Sequence, residues 1–238
     1  MGIYIGNMYW QISYLLLAAA FIFTIVAQRR VSGQYARYAS VACQKGISGS
    51  QAARMILDAH GLQDVSIGLT GGRLTDHYDP RKNTMALSNE VYNDCSISSV
   101  AVAAHECGHA IQEAEGYTFL KIRDAIAVPV SFVSNAAIPL MIIGIIVINV
   151  GRYTAGNMIF NIGVYAFIAV VVFQLITLPV ELNASDRAIS ELVDLDIIYE
   201  EEVCSAQKVL HAAAMTYVAA LAMAVTNLIR LLLIRGNN

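Results

Sequence analysis

The chain has 238 residues, 57% of them hydrophobic and only 14% charged, with a net charge of −3 and a mean hydropathy of +0.56. Soluble domains carry about 25% charged residues, so a water-soluble globule is excluded, and the slightly acidic balance gives a nucleic-acid partner no footing. The four cysteines, Cys43, Cys95, Cys107 and Cys204, form no CxxC pair and no dense framework, and they read as free thiols facing a reducing compartment.

In chain order, the first element is an apolar run from Tyr9 to Ala27, followed directly by Arg29-Arg30 and preceded by no basic residue. A cleaved secretory signal has the reverse charge order, so the run is expected to span the bilayer with its N-terminus outside. Three more runs, 127–150, 158–180 and 212–234, reach the roughly 20 residues that a spanning helix needs. No charge interrupts their middles, only hydroxyls and the amides Asn135, Gln174 and Asn227, whereas a transporter would carry intramembrane charge there. Segment 28–126 holds ten Lys/Arg, and Arg187 and Lys208 lie in segment 181–211. The turn between the second and third runs holds one, so charge asymmetry puts both polar segments in the cytoplasm. Arg230 and Arg235, at the outer end of the fourth run, fit that asymmetry less well.

Between the first two spans, "GISGSQAARMILDAHGL" predicts a short amphipathic helix. Ser48 and Gln51 make a capping box, Ala52, Ala53, Ile56, Leu57 and His60 follow helical spacing, and Gly61 stops it. "DVSIGLT" alternates like a strand. "GGRLTDHYDPRKNTMALS" predicts a turn, a strand, a second turn over 79–83 and a strand from Thr84 to Ser88. That last strand is expected to be an edge to which an extended peptide could add. "NEVYNDCSIS" reads as a polar connection. A helix then begins near Asp94 or Ser96, either of which can cap it, and ends near Gly116.

That helix carries His105-Glu106-Cys107-Gly108-His109, a match to HExxH. Positions four apart share a helix face, so both imidazoles can reach one metal. Glu106 sits at the edge of that face, placed to act as base toward a water on the open coordination position. Cys107 points away from the pair and reads as packing. Gly108 gives up helix propensity inside the motif, which points to close approach of a neighbouring backbone. No third histidine follows at the spacing of HExxHxxGxxH sites, so a further ligand must come from beyond the next two spans, where Glu181 is the first acid. Of the other histidines, His60 reads as a surface or capping residue, His77 as a hairpin residue, and His211 as a possible donor to a transition-state oxyanion. A zinc-stabilised scaffold without activity would need four protein ligands and no base, which disfavours it.

Three blocks, "HYDPRKNTMALSNEVY", "VAVAAHECGHAIQ" and "FQLITLPVELNASDRA", together resemble the YugP-like neutral zinc metallopeptidases of bacterial membranes, over nearly the whole chain. The layout also resembles the HtpX and CAAX-prenyl-protease group. The resemblance implies one catalytic zinc ion held by His105, His109 and Glu181, with Glu106 as general base, in a gluzincin-like arrangement. A carboxylate left unpaired at the lipid boundary is costly, and zinc would neutralise it. Glu191, Asp194 and Asp196, farther into the polar segment, read as solvated acids. In the HtpX-like group an aspartate four positions after the glutamate supports a histidine ligand. Here that position is Ser185, leaving Asp186 and Asn183 as candidates for the support.

The expected fold is mainly α: an integral membrane protein with four transmembrane helices, an HExxH zinc-helix core and a small α+β cytoplasmic portion, in a single domain over 1–238. The expected activity is peptide hydrolysis at the cytoplasmic face of the cell membrane, in membrane-protein turnover or processing. The expected surroundings are the lipid bilayer and a peptide or membrane-protein substrate, with an oligomer or a regulatory membrane partner left open.

Overall fold

A computed structural model describes the backbone of residues 2–236 and the side chains of residues 11–233. The side chains of Tyr9, Trp10 and Arg235 thus lie outside the described residues. The order of elements is α1 (Gly2–Ala39), α2 (Gly49–Ala59), β1 (Ser66–Thr70), β2 (His77–Asp79), β3 (Thr84–Ser88), α3 (Asn89–Asn93), α4 (Ile97–Ala114), α5 (Thr118–Asn149), α6 (Tyr153–Asp194) and α7 (Glu200–Gly236). Four of these helices are long and apolar enough to cross a membrane, over Gln11–Ala39, Thr118–Asn149, Tyr153–Asp194 and Glu200–Leu233. The chain is a mainly α membrane protein with one small sheet, as its sequence predicts. Each expected span falls inside one longer helix, because nothing at its polar end breaks the backbone. Even Pro179 lies within α6, which continues to Asp194.

The chain packs as two units. One comprises, among the described residues, 2–26, 122–178 and 217–236. Its outward residues are large and apolar, Leu15, Phe132, Ile146 and Met158 among them, as lipid contact requires. Burying apolar area does not drive helices together in lipid, so close van der Waals packing must. Glycines supply it: a Cβ on Gly144 would lie 2.7 Å from the Phe160 nitrogen, and one on Gly163 would lie 2.9 Å from the Ala137 carbonyl oxygen. Ala137, Met141, Phe160 and Val164 form the buried cluster there.

The other unit comprises residues 27–121 and 179–216. Its core joins Ile56 and Leu57 of α2, Met85 and Leu87 of β3, Val100, Ala104 and Ile111 of α4, and Leu192 of α6. The capping box of α2 forms as its sequence predicts, Ser48 accepting from the Gln51 N–H while the Gln51 side chain receives the Ser48 N–H. Gly61 follows with φ +73°, a left-handed value that ends a helix readily only with glycine. Ser96, not Asp94, caps α4, accepting from the Ser99 N–H at 3.1 Å.

Two local expectations are corrected. The connection over 89–93 is a short helix, α3, not an irregular link. Its single buried apolar residue, Val91, gives too little periodicity to announce a helix. Second, β3 is not an edge. The strand order is β1-β3-β2, with β1 parallel to β3 in the register Gly68↔Ala86 and β2 antiparallel to it in the register His77↔Ala86. Antiparallel pairing of β2 and β3 follows from the short turn at 80–83. Parallel pairing with β1 has no local turn signal, so the sequence hides it. An added peptide therefore finds β3 paired on both sides.

Candidate metal centre

α4 is an alanine-rich helix whose inner face is packed solid: Ala101, Ala104, Cys107 and Gly108 are buried. Burial raises the Cys107 thiol well above its ordinary range, and its Sγ lies 3.6 Å from the Ala53 carbonyl oxygen. It is a small packing group with no thiolate to offer. His105 and His109 leave the same helix one turn apart, with ring centroids 4.8 Å apart and planes at 84°.

The close approach inferred at Gly108 is to α6. A Cβ there would lie 2.5 Å from the Ala184 carbonyl oxygen, a separation no real side chain tolerates. With only hydrogen at that point, α6 runs against α4 and Glu181 reaches the histidine pair. A Glu181 oxygen lies 3.3 Å from His105 Nε2 and 3.6 Å from His109 Nε2. One atom from each of the three residues falls within 4.8 Å of the others. Zn–N and Zn–O bonds of about 2.0–2.1 Å in a tetrahedron separate adjacent ligand atoms by about 3.3 Å, so the two spacings from Glu181 fit such an ion. The chemistry fits too, two imidazoles and one carboxylate being a catalytic-zinc donor set. Glu181 is 5% exposed and Glu106 8%. The Glu106 carboxylate has no hydrogen-bond partner among the described residues.

The outer ring nitrogens have partners of their own. Ser185 Oγ is 3.2 Å from His105 Nδ1, so the residue four after Glu181 does meet a histidine although it is no aspartate. Asp186, a candidate for that support, is exposed and reaches neither ring. Asn183 reaches a histidine only through Gln112. Gln112 Oε1 lies 3.0 Å from His109 Nδ1, while its Nε2 donates to the Val180 carbonyl at 2.8 Å and to Asn183 Oδ1 at 2.9 Å. Arg187 Nε donates to the same Asn183 oxygen at 2.9 Å and its Nη2 pairs with Glu115 at 2.7 Å. That arginine holds the Glu115 carboxyl below its usual range. Sequence reasoning missed Gln112. The available signal was its spacing, three residues after His109 on the same helix face.

The remaining candidates lie elsewhere. His60 pairs with Glu191 at 2.8 Å, and His77 Nδ1 meets the Thr75 carbonyl oxygen at 2.8 Å. Lys45 pairs with Asp196, and Asp194 accepts from Ser190. His211 lines a cavity of about 640 Å³ with Arg30, Ser185, Asp186 and Lys208. All four cysteines are free, Cys43 and Cys107 buried, Cys95 and Cys204 exposed.

The profile of the family described as "Putative neutral zinc metallopeptidase" matches residues 13–236. The "Putative membrane protease YugP" of Bacillus subtilis (strain 168) is 41% identical over 219 residues, covering 92% of this chain and 94% of that one. No solved structure matches. A match along nearly the whole length, through the spans and both polar segments, leaves one assignment: this chain belongs to the neutral zinc metallopeptidase family and is a membrane protease by homology.

Proposed function

We propose that the protein is a gluzincin-like endopeptidase in which His105, His109 and Glu181 hold one catalytic zinc ion and Glu106 is the general base. The observation that carries the reading is the convergence of His105 Nε2, His109 Nε2 and the buried Glu181 carboxylate. When bound, zinc lowers the pKa of a coordinated water toward about 7 and polarises a substrate carbonyl. The chain's own residues do the rest. Glu181 brings a negative charge to the two imidazoles. Glu106, beside His105 and unengaged by hydrogen bonds among the described residues, takes the proton from the attacking water on a carboxylate oxygen. It then delivers that proton to the departing amine.

The charge pattern supports a site on the cytoplasmic face, with segments 28–126 and 181–211 inside. There the substrate would be a peptide or a membrane protein undergoing turnover or processing. Neither packing unit is a continuous stretch of chain, so we read 1–238 as one working domain. The test is Glu106→Gln. It should bind zinc as tightly as wild type and lose about 10²–10⁴-fold in turnover. Near-normal peptidase activity with full zinc content overturns the mechanism.

A further inference from the structure

Beyond the ligands themselves, the hydrogen bonds around Gln112 have a direction, and the direction has a consequence. A primary amide offers donors only from its nitrogen and acceptors only at its oxygen. Which end is which cannot be observed directly and must come from the partners. Here the partners decide it. The Val180 carbonyl, 2.8 Å from Nε2, can only accept. Asn183 Oδ1, 2.9 Å from Nε2, is held as an acceptor by Arg187 Nε at 2.9 Å, and a guanidinium can only donate. Both Gln112 Nε2 protons are therefore spent on fixed acceptors, and Oε1 must face His109. An oxygen at 3.0 Å from Nδ1 requires the imidazole to carry its proton there. Whenever the ring is neutral, its lone pair is then on Nε2, the nitrogen that lies 3.6 Å from Glu181.

We propose that Gln112 is a positioning residue that reads the Val180 carbonyl and keeps a proton on His109 Nδ1, so that Nε2 is the nitrogen left to a metal. It rests on His109 being a ligand. His105 differs, because its Nδ1 partner is the Ser185 hydroxyl, which can donate or accept by rotating and so imposes neither tautomer. One histidine is locked and the other adapts. Gln112 is fully buried, so water does not replace the bond when it is lost. The lock is anchored at both ends. The Val180 carbonyl belongs to α6, one residue before Glu181, and the Asn183–Arg187–Glu115 chain runs along α6 and back to the end of α4. The same bonds that set the tautomer hold the two ligand-bearing helices in register.

The experiment uses full-length protein in detergent, stripped of metal and labelled with ¹⁵N-histidine. The ring ¹⁵N shifts report which nitrogen carries the proton, and chelator competition gives zinc affinity. Wild type should show a proton on His109 Nδ1 throughout. Gln112→Leu, close in volume and without an amide, should show both forms at His109, an unchanged His105, and zinc bound about 10–100-fold more weakly. Gln112→Met, equally long and flexible, is read the same way if the leucine variant does not fold. Ser185→Ala should leave the His109 signal untouched. A His109 ring with no proton on Nδ1 in wild type, or wild-type zinc affinity in the Gln112 variant, overturns the proposal. His109→Ala separates the two levels. If it holds zinc like wild type, the ligand assignment falls. If it loses zinc while Gln112→Leu keeps it, only the tautomer lock falls.

Discussion

Gly108→Ala puts the geometry of the centre to a direct test. The added Cβ would lie 2.5 Å from the Ala184 carbonyl oxygen and 3.1 Å from the Ala184 Cα. Neither neighbour is the end of a flexible side chain, so the two helices must separate. Restoring ordinary contact takes roughly 1 Å in a packed interior that yields little. Ala184 is less than one turn from Glu181, so the carboxylate moves by a similar amount relative to His105 and His109. A functional constellation tolerates about 0.5 Å, and misplacement by about 1 Å costs about 10²-fold. Zinc affinity should therefore weaken by about 10²-fold, with peptidase activity falling alongside it. Alanine is about 1 kcal/mol better than glycine inside a helix, which offsets part of the strain, so the thermal midpoint of the metal-free protein is a poor readout. Chelator competition on the detergent-purified protein is the better one. A Gly108→Ala protein that binds zinc and cleaves peptide like wild type would falsify the argument that this glycine lets α6 deliver the third ligand.

The other predictions are simpler to run. Glu181→Gln should cut zinc affinity sharply and abolish activity, whereas Glu191→Gln should leave zinc in place, because Glu191 pairs with His60; metal analysis of both purified variants decides it. A membrane-impermeant maleimide applied to intact cells should leave the exposed thiols of Cys95 and Cys204 unreacted and should label a cysteine placed at Thr154; the opposite pattern refutes the cytoplasmic site. Ala86→Pro should lower the melting temperature markedly, because proline cannot donate to a ladder and β3 is paired on both sides; an unshifted melting curve contradicts the strand order.

What the sequence made legible was whatever has a local cause. The capping box of α2 and the stop at Gly61 are written in neighbouring residues, and the four apolar runs in composition. Gly108 was an anomaly in a helix interior, and its explanation, close backbone approach, is a structural finding that glycine alone could foreshadow. The meeting of Glu181 with the HECGH pair could be expected from chain order and the cost of a bare carboxylate at the lipid boundary. Long-range geometry stayed hidden. The parallel pairing of β1 with β3 leaves no mark at either strand. α3 is too short to show a period. Gln112 looks like any polar residue near a helix end until α6 presents the Val180 carbonyl to it. Ser185 looked like a gap in an expected pattern, yet its hydroxyl occupies the place where an acid was sought.

The glycine-lined pair formed by α5 and the apolar stretch of α6 has a consequence for biosynthesis. It separates the two halves of the centre in the order of synthesis: Ser185 follows His105 by 80 residues. Ribosomes add about 5–20 residues per second, so the HECGH helix exists for several seconds before Glu181 and its neighbours are made. Those seconds cover the synthesis of α5 and the apolar stretch of α6. A nascent chain thus carries two of the proposed ligands and the base but lacks the third ligand until α5 and the apolar stretch of α6 have been made.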